Sequence, residues 1–289
     1  MNTVFRPHPN LPRSRTCATL VVLLALTGCD VRRPSCELVA KASLPDVLQE
    51  ASGVAIDAAG RTWSLADSGE PVLFHLDDSG RIVREFRVPD VHVRDWEDLA
   101  IGSCPAGECF YIGDIGDNLH ERDAVLILRA PVPYDDEAEA SSVEQLRIRY
   151  PDGPSDAEAM ALLPDGSLLI ITKGRNRAVG VYRYREPLRA DSVHTLEHVQ
   201  DLTDGIVQLP EQITGASALG ERIVLRSYSA LHGYEWTGDS LAVAHPPVAL
   251  RFLGEQQGEG VALHPDGTVI VVGEGDRNGS YARLRCYTF

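Results

Sequence analysis

The 289-residue chain is short of positive charge: 27 Lys and Arg stand against 42 Asp and Glu, a net of −15. A nucleic-acid binder needs a basic face to neutralise phosphates, so that class of partner is excluded. Zinc fingers and zinc ribbons are excluded as well, because the six cysteines form no C-x-x-C pair and no Cys/His ligand spacing. The nine histidines, among them His120 and His232, also lack ligand spacing and read as surface or packing residues. The run ATLVVLLAL at 18–26 is too short to span a bilayer, which takes about 20 apolar residues.

That short run is informative in another way. Arg6, Arg13 and Arg15 precede it with no acid among them, the pattern of an export signal over residues 1–28. The segment ends Leu26-Thr27-Gly28-Cys29, which resembles the bacterial lipobox, in which the cysteine is acylated and becomes the first residue of the mature protein. The expectation is a lipidated Cys29, a tether over 29–35 and a domain over 36–289, anchored to a membrane on the periplasmic side or at the cell surface. A plain secretory signal with a chance cysteine is the alternative. Removing the three signal arginines from the 27 basic residues leaves 24 against 42 acids, a net of −18 on a solvated, monomeric surface.

Of the six cysteines, Cys17 leaves with the signal and Cys29 takes lipid, so four remain in an oxidising compartment. Cys104 and Cys109 bracket the turn PAGE and are expected to close a small hairpin loop. Cys36 and Cys286 lie near the two ends of the mature chain.

One phrase recurs five times, beginning at Ser52, Glu97, Glu158, Thr214 and Glu259, with anchors 45, 61, 56 and 45 residues apart. Each is an apolar strand, a turn rich in Gly, Asp or Pro, and a second apolar strand closing on polar residues. Two further strand-like runs follow in each repeat: PVLFHLD and IVREFRV, AVLILRAPV and VEQLRIRY, VGVYRYRE and HTLEHVQDL, LHGYEWTG and VALRFLG. This predicts an all-β fold, a β-propeller of five four-stranded blades, with six as the alternative if a longer repeat hides a degenerate blade. The fifth repeat stops after YARLRCYTF and lacks a strand. The segment CELVAKASL supplies it, closing the ring and placing Cys36 beside Cys286 as a latch. Trp63, Trp96 and Trp236 are expected to pack between blades.

In an antiparallel blade the start of the first strand and the end of the second share one face. That face gathers Glu97, Asp98, Glu158 and Glu259 entering inner strands, and Asp67, Asp114, Asp117, Asn118, Lys173, Arg226, Tyr228 and Glu274 leaving second strands. Carboxylates crowded at a narrow mouth repel one another and need a cation, a basic partner or a shared proton. A calcium ion would take oxygens from Glu97, Asp98, Asp114, Asp117 and Asn118. Glu97, Asp114, Glu158 and Glu259 are the candidate catalytic acids and bases of a hydrolase, with Lys173 and Arg226 holding an anionic, phosphoester-like substrate and Tyr228, Asp67 and Glu274 lining the site. The other reading is a non-catalytic envelope module that holds a small molecule, a glycan or a protein. Asp, Asn and Gly are also ordinary turn formers, and a strand-initial Glu can bond a neighbouring backbone.

The motifs DWEDLA (95–100), YIGDIGDN (111–118), DAEA (156–159), the strand ending Thr172-Lys173, TGA (214–216), LR-x-Y (225–228) and QGE (257–259) occur in this order. In this the chain resembles a group of secreted or lipid-anchored bacterial propeller proteins, distantly similar to propellers described as phytase-like or esterase-like. The resemblance covers essentially the whole mature chain and implies a propeller with these residues on one face; no activity follows from it.

Overall fold

The computed structural model describes residues 35–134, 137–185 and 187–289. Residues 1–34, on which the expected export signal and the expected lipidation at Cys29 fall, lie outside the described residues. The first blade is β2 (Ala51–Ile56), β3 (Thr62–Ala66), β4 (Val72–Leu76) and β5 (Ile82–Arg87). The second is β6 (Trp96–Cys104), β7 (Gly107–Asp114), β8 (Val125–Pro131) and β9 (Glu144–Arg149). In the third, β10 (Ala157–Leu162), β11 (Leu168–Thr172) and β12 (Gly180–Tyr184) are completed by β14 (Glu197–Asp201). The fourth is β15 (Ile213–Leu219), β16 (Arg222–Ser227), β17 (Ala230–Trp236) and β18 (Leu241–Ala249). The fifth is β19 (Gln257–Leu263), β20 (Thr268–Glu274) and β21 (Ser280–Cys286), with β1 (Cys36–Ser43) as its outer strand. Five sheets, each antiparallel through its four blade strands, therefore settle the blade count at five.

Burial follows from position. Strands near the axis are covered on both faces by neighbouring blades, so LLIIT of β11 is buried throughout. Outer strands keep one wet face, and IVREFR of β5 and EQLRIR of β9 alternate accordingly. The core is five apolar layers, one at each blade junction, rather than one central cluster. Between the first two blades Trp63 meets Phe86 and Phe110 edge to face, with ring centroids 6.1 and 5.1 Å away. Trp96 shares that layer, and Trp236 packs between the third and fourth blades, as expected.

The ring closes where β1 pairs with β21, Cys36 opposite Cys286, and the two are joined by a disulfide. A second disulfide, Cys104–Cys109, closes the β6–β7 hairpin. Inner strands approach so closely that a Cβ at Gly53 would lie 2.7 Å from the Leu99 nitrogen, and one at Gly260 would lie 2.5 Å from the Ser52 carbonyl oxygen.

Two strand expectations need correcting. HTLEHVQDL is not one strand: Val193–Thr195 forms β13, which pairs in parallel with β9 of the second blade, and only Glu197–Asp201 belongs to the third. Leu196, buried between them, donates its N–H to the Arg149 carbonyl at 2.9 Å and fixes the crossing point. The fourth blade's outer strand is LAVAHPPVA rather than VALRFLG, whose Arg251–Leu253 forms a 3-10 turn. Pro246 and Pro247 disguised it, yet an edge strand tolerates proline because no further strand needs the missing N–H.

Candidate functional site

The inner strands β2, β6, β10, β15 and β19 carry one irregularity in common. Each loses register with its second strand near its own first residues, between Ala51 and Val54, Trp96 and Asp98, Ala157 and Ala159, Ile213 and Gly215, and Gly258 and Val261. The residues inside these bulges include Ser52, Glu97, Glu158, Thr214 and Glu259. A bulge leaves its extra residue unpaired and re-aims the side chain. Five bulges at one level of a ring thus bring one side chain per blade to the channel mouth.

Two of the five are spent within the fold. Ser52 donates its hydroxyl to the carbonyls of Trp96 and Glu97, both at 2.7 Å, and Thr214 bonds Gly258 and Glu259 carbonyls at 2.8 and 3.2 Å. Each hydroxyl ties its blade to the next in chain order. The other three are glutamates, each less than a tenth exposed.

Around these glutamates sits one ammonium. Lys173, one of two lysines in the chain, leaves β11, pairs with Glu158 and lies 5.6 Å from the centre of the Tyr228 ring. Burial opposes its charge, but Glu158 and Tyr228 outweigh that and hold its pKa above the usual lysine range. Glu158 itself is pushed up by burial and by Asp156, against the pull of Lys173. With Lys173 charged, Glu158 is the carboxylate it neutralises. Glu97 is held well above the carboxylate range by burial and then by repulsion from Glu158, Asp95 and Glu259. Burial likewise raises Glu259, helped by Glu158 and Glu274. At the outer rim, burial and repulsion from Glu50, Glu274 and Asp95 bring Asp67 up to about 7, and Asp95 and Glu274 also shift upward through burial first. The mouth therefore holds more carboxyl groups than cations can balance.

Gly116 of the GDIGDN motif owes its identity to this crowding. A Cβ there would lie 2.3 Å from an Asp95 oxygen and 2.4 Å from a Glu97 oxygen, so the two carboxylates are close neighbours against the bare backbone.

The five residues expected to bind calcium do not meet. Asp98 is wholly buried below the mouth and accepts N–H bonds from Leu99 at 2.8 Å, Met160 at 2.7 Å and Ala216 at 3.0 Å, stapling the second, third and fourth blades. Asp114 pairs with Arg122 at 2.7 Å. Asp117 accepts the amides of Glu121 and Arg122 at 2.9 and 3.0 Å, and Asn118 accepts from Arg175 at 2.5 Å. Apart from Glu97, the side-chain oxygens of this set are held by protein donors, which does not fit a calcium ion shared by the five. Among the described residues no group of three His, Cys, Asp or Glu is placed to hold a metal.

Arg226, expected to hold a substrate, is fully buried; it binds the carbonyls of Gly260 and Val272 at 2.8 and 2.7 Å and pairs with Glu255 at 2.5 Å. It is a strut between the fourth and fifth blades. Sequence reasoning left Arg122, Arg175 and Glu255 without roles, since nothing in their spacing marks them as partners of the motif acids. His120 bonds the Pro154 carbonyl at 3.2 Å and Asn176 at 2.6 Å.

No protein-family model matches the chain, and no curated protein sequence matches it. Among solved structures the fold is similar to the PQQ-bound aldose sugar dehydrogenase of Streptomyces coelicolor, with 11% identity, TM-score 0.55, and 88% of this chain and 98% of that one covered. It is also similar to the apo-form soluble aldose sugar dehydrogenase of Escherichia coli, with 12% identity, TM-score 0.54, and coverage of 84% and 98%. A luciferin-regenerating enzyme follows, with 13% identity, TM-score 0.50, and coverage of 88% and 96%. At such identities these likenesses support the propeller fold; the DWEDLA and GDIGDN motif set rests on the sequence alone.

Proposed function

We propose that the channel mouth is an acid–base site for a small, uncharged, hydroxylated ligand, carried on a propeller that a lipid on Cys29 holds outside the cytoplasm. One observation carries the reading: Glu97, Glu158 and Glu259, buried and drawn from three blades, face the single ammonium of Lys173. With Lys173 satisfied by Glu158, repulsion and burial favour the protonated form of Glu97 and of Glu259. A carboxylic acid beside a carboxylate supplies a proton donor and a proton acceptor in one place. In a hydrolysis the protonated member gives its proton to the leaving oxygen, the ionised member takes one from the attacking water, and Lys173 and Tyr228 hold the substrate oxygen between them.

The phosphoester-like substrate of the sequence reading is less favoured. Lys173 and Arg226 are already neutralised by Glu158 and Glu255, so an anion entering the mouth would meet surplus negative charge. Two of the fold's solved relatives are named for aldose sugars, the same ligand class, although fold likeness alone carries no residue across.

The non-catalytic reading has its own support. Loops that end in or border the mouth expose Val47, Leu119, Ile206, Leu209 and Phe252, each more than half exposed, and exposed apolar side chains rimming a polar centre suit a docking face. The test is spectroscopic first. Infrared difference spectra of wild type against Glu97→Gln and Glu259→Gln at pH 7 should show the carbonyl stretch of a protonated carboxyl that one variant loses. Fully ionised carboxylates in wild type would remove the acid–base reading. Turnover of simple glycosides and lactones, abolished by Glu158→Gln, separates catalysis from docking.

A further inference from the structure

The molecule carries a second cleft, of opposite character, which adjoins the acidic mouth through Arg122, bonded to the Gly116 carbonyl. It lies between the first and second blades, has a volume of about 410 Å³, and is lined by Arg94 of the β5–β6 segment, Arg122 of the β7–β8 loop and Arg147 of the outer strand β9. Three guanidinium groups on one cleft invert the sign of a chain whose net charge is −15.

The three are not equivalent. Arg122 is buried; it pairs with Asp114 at 2.7 Å and bonds the Gly116 carbonyl at 2.7 Å, while its Nε makes no hydrogen bond in the structure. Arg94 and Arg147 are exposed, and among the described residues neither has a carboxylate in ion-pair reach. Asp90 and Asp114 also line the cleft. With Asp114 held by Arg122, the guanidinium groups of Arg94 and Arg147 outnumber the remaining carboxylate of Asp90, so the charge left to a ligand is positive. The floor is apolar, formed by Val91, Ala124, Leu126 and Leu128. Leu126 and Leu128 alternate on β8, and Gln145 and Arg147 alternate beside them on β9, so the pleat presents an aliphatic surface with cations along its border.

An apolar floor of ligand-sized dimensions with convergent guanidinium groups matches one kind of occupant. We propose that this cleft binds an amphiphilic anion, a carboxylate or phosphate head on a short aliphatic body. Arg94 and Arg147 grip the head, for which the planar guanidinium fork is suited, and the half-buried Val91, Ala124 and Leu126 receive the tail. The mouth's acid–base chemistry is not needed for this, and the cleft stands or falls without it.

The test is calorimetric titration of the oxidised protein with hexyl phosphate, hexanoate, inorganic phosphate and hexanol at low and moderate salt. The expected result is saturable binding of at least one hexyl anion, tighter than inorganic phosphate, weakened by salt, and absent for hexanol. The Arg94→Ala/Arg147→Ala double variant should keep the wild-type melting temperature, since both side chains are exposed, and weaken binding tenfold or more. Leu126→Ala should weaken the hexyl anions while leaving inorganic phosphate unchanged. Comparing the phosphate and carboxylate arms identifies the head group. No saturable heat with either hexyl anion, or equal binding by the double variant, overturns the assignment.

Discussion

The two ends of the channel are built by the same five strands and share almost nothing chemically. At the mouth the inner strands present Ser52, Glu97, Glu158, Thr214 and Glu259; four residues further along stand Ile56, Ile101, Leu162, Ala218 and Leu263. The far end encloses only about 50 Å³ between apolar and small side chains. A Cβ on Gly102 would already collide with the Leu162 side chain there. Packing dictates the closed end, where four of the five repeats supply a branched aliphatic side chain and the remaining one supplies Ala218. At the mouth the repeats diverge: two hydroxyls are consumed in tying blades together, and three carboxylates are left crowded around one lysine. Where a repeat protein varies at a single equivalent level, the variation marks the level that packing does not dictate.

The largest effect that would sharpen this contrast belongs to ring closure. The Cys36–Cys286 bond spans 250 residues and lies toward the closed end, where Cys286 donates its N–H to the carbonyl of Gly267 in the β19–β20 turn. In the chain-entropy model its loss costs about 5 to 6 kcal/mol. The Cys36→Ser/Cys286→Ser variant should therefore unfold at much lower denaturant, while ligand binding at the mouth of the molecules still folded is unchanged. A midpoint equal to wild type would show that strand pairing alone closes the ring.

Next in size is Asp98→Ala, directly beneath the mouth. Three backbone N–H groups from three blades lose their acceptor in a buried setting. At about 1 kcal/mol or more each, the expected cost is about 3 kcal/mol. Asp98→Asn keeps one acceptor oxygen and should recover part of it in equilibrium unfolding. If Asp98 were a metal ligand instead, added calcium would raise the wild-type melting temperature and leave Asp98→Ala unmoved.

The blade count, the latch and the shared face were legible in the sequence because each rests on period: recurring strand-turn-strand phrases, a missing fourth strand and an even number of cysteines. Which acids stay free was not legible. Glu97 and Asp98 are adjacent in DWED, yet one enters the mouth and the other crosses beneath it to the amides of Met160 and Ala216. The bulge between Trp96 and Asp98 decides that, and it is a property of strand pairing, not of residue type. Arg122 escaped notice for the same reason: its bond to Asp114 depends on how the β7–β8 loop folds back.

A smaller effect tests the closed end by itself. Leu162→Ala removes aliphatic volume from a partly buried position in the plug. Its cost should be about 1 to 2 kcal/mol, below that of a fully buried leucine. Gly102 no longer faces the leucine methyl that forbade a side chain, so Gly102→Ala should be tolerated better in the Leu162→Ala background than in wild type. Additive losses in the double-mutant cycle would place the two ends of that contact apart.

The smallest predicted change distinguishes the ends by pH. A carboxyl whose folded pKa lies above its unfolded value takes up a proton on folding, so its contribution is fully present below the unfolded pKa and is lost as pH rises through the folded one. Asp67, raised from 3.8 to about 7, and Glu97 and Glu259, raised by burial and repulsion, all have this sign. Wild-type stability should therefore decline from the ordinary carboxylate range up through pH 7. Replacing Glu97 by Gln removes one of the charges that must be buried at high pH while keeping the shape. The variant should melt above wild type at pH 8 by about 1 kcal/mol, with the difference shrinking or reversing at pH 5. Leu162→Ala, in contrast, should shift the whole curve without altering its slope. Parallel curves for Glu97→Gln and wild type would mean that a cation already balances the mouth, and the surplus proton on which the acid–base reading depends would be gone.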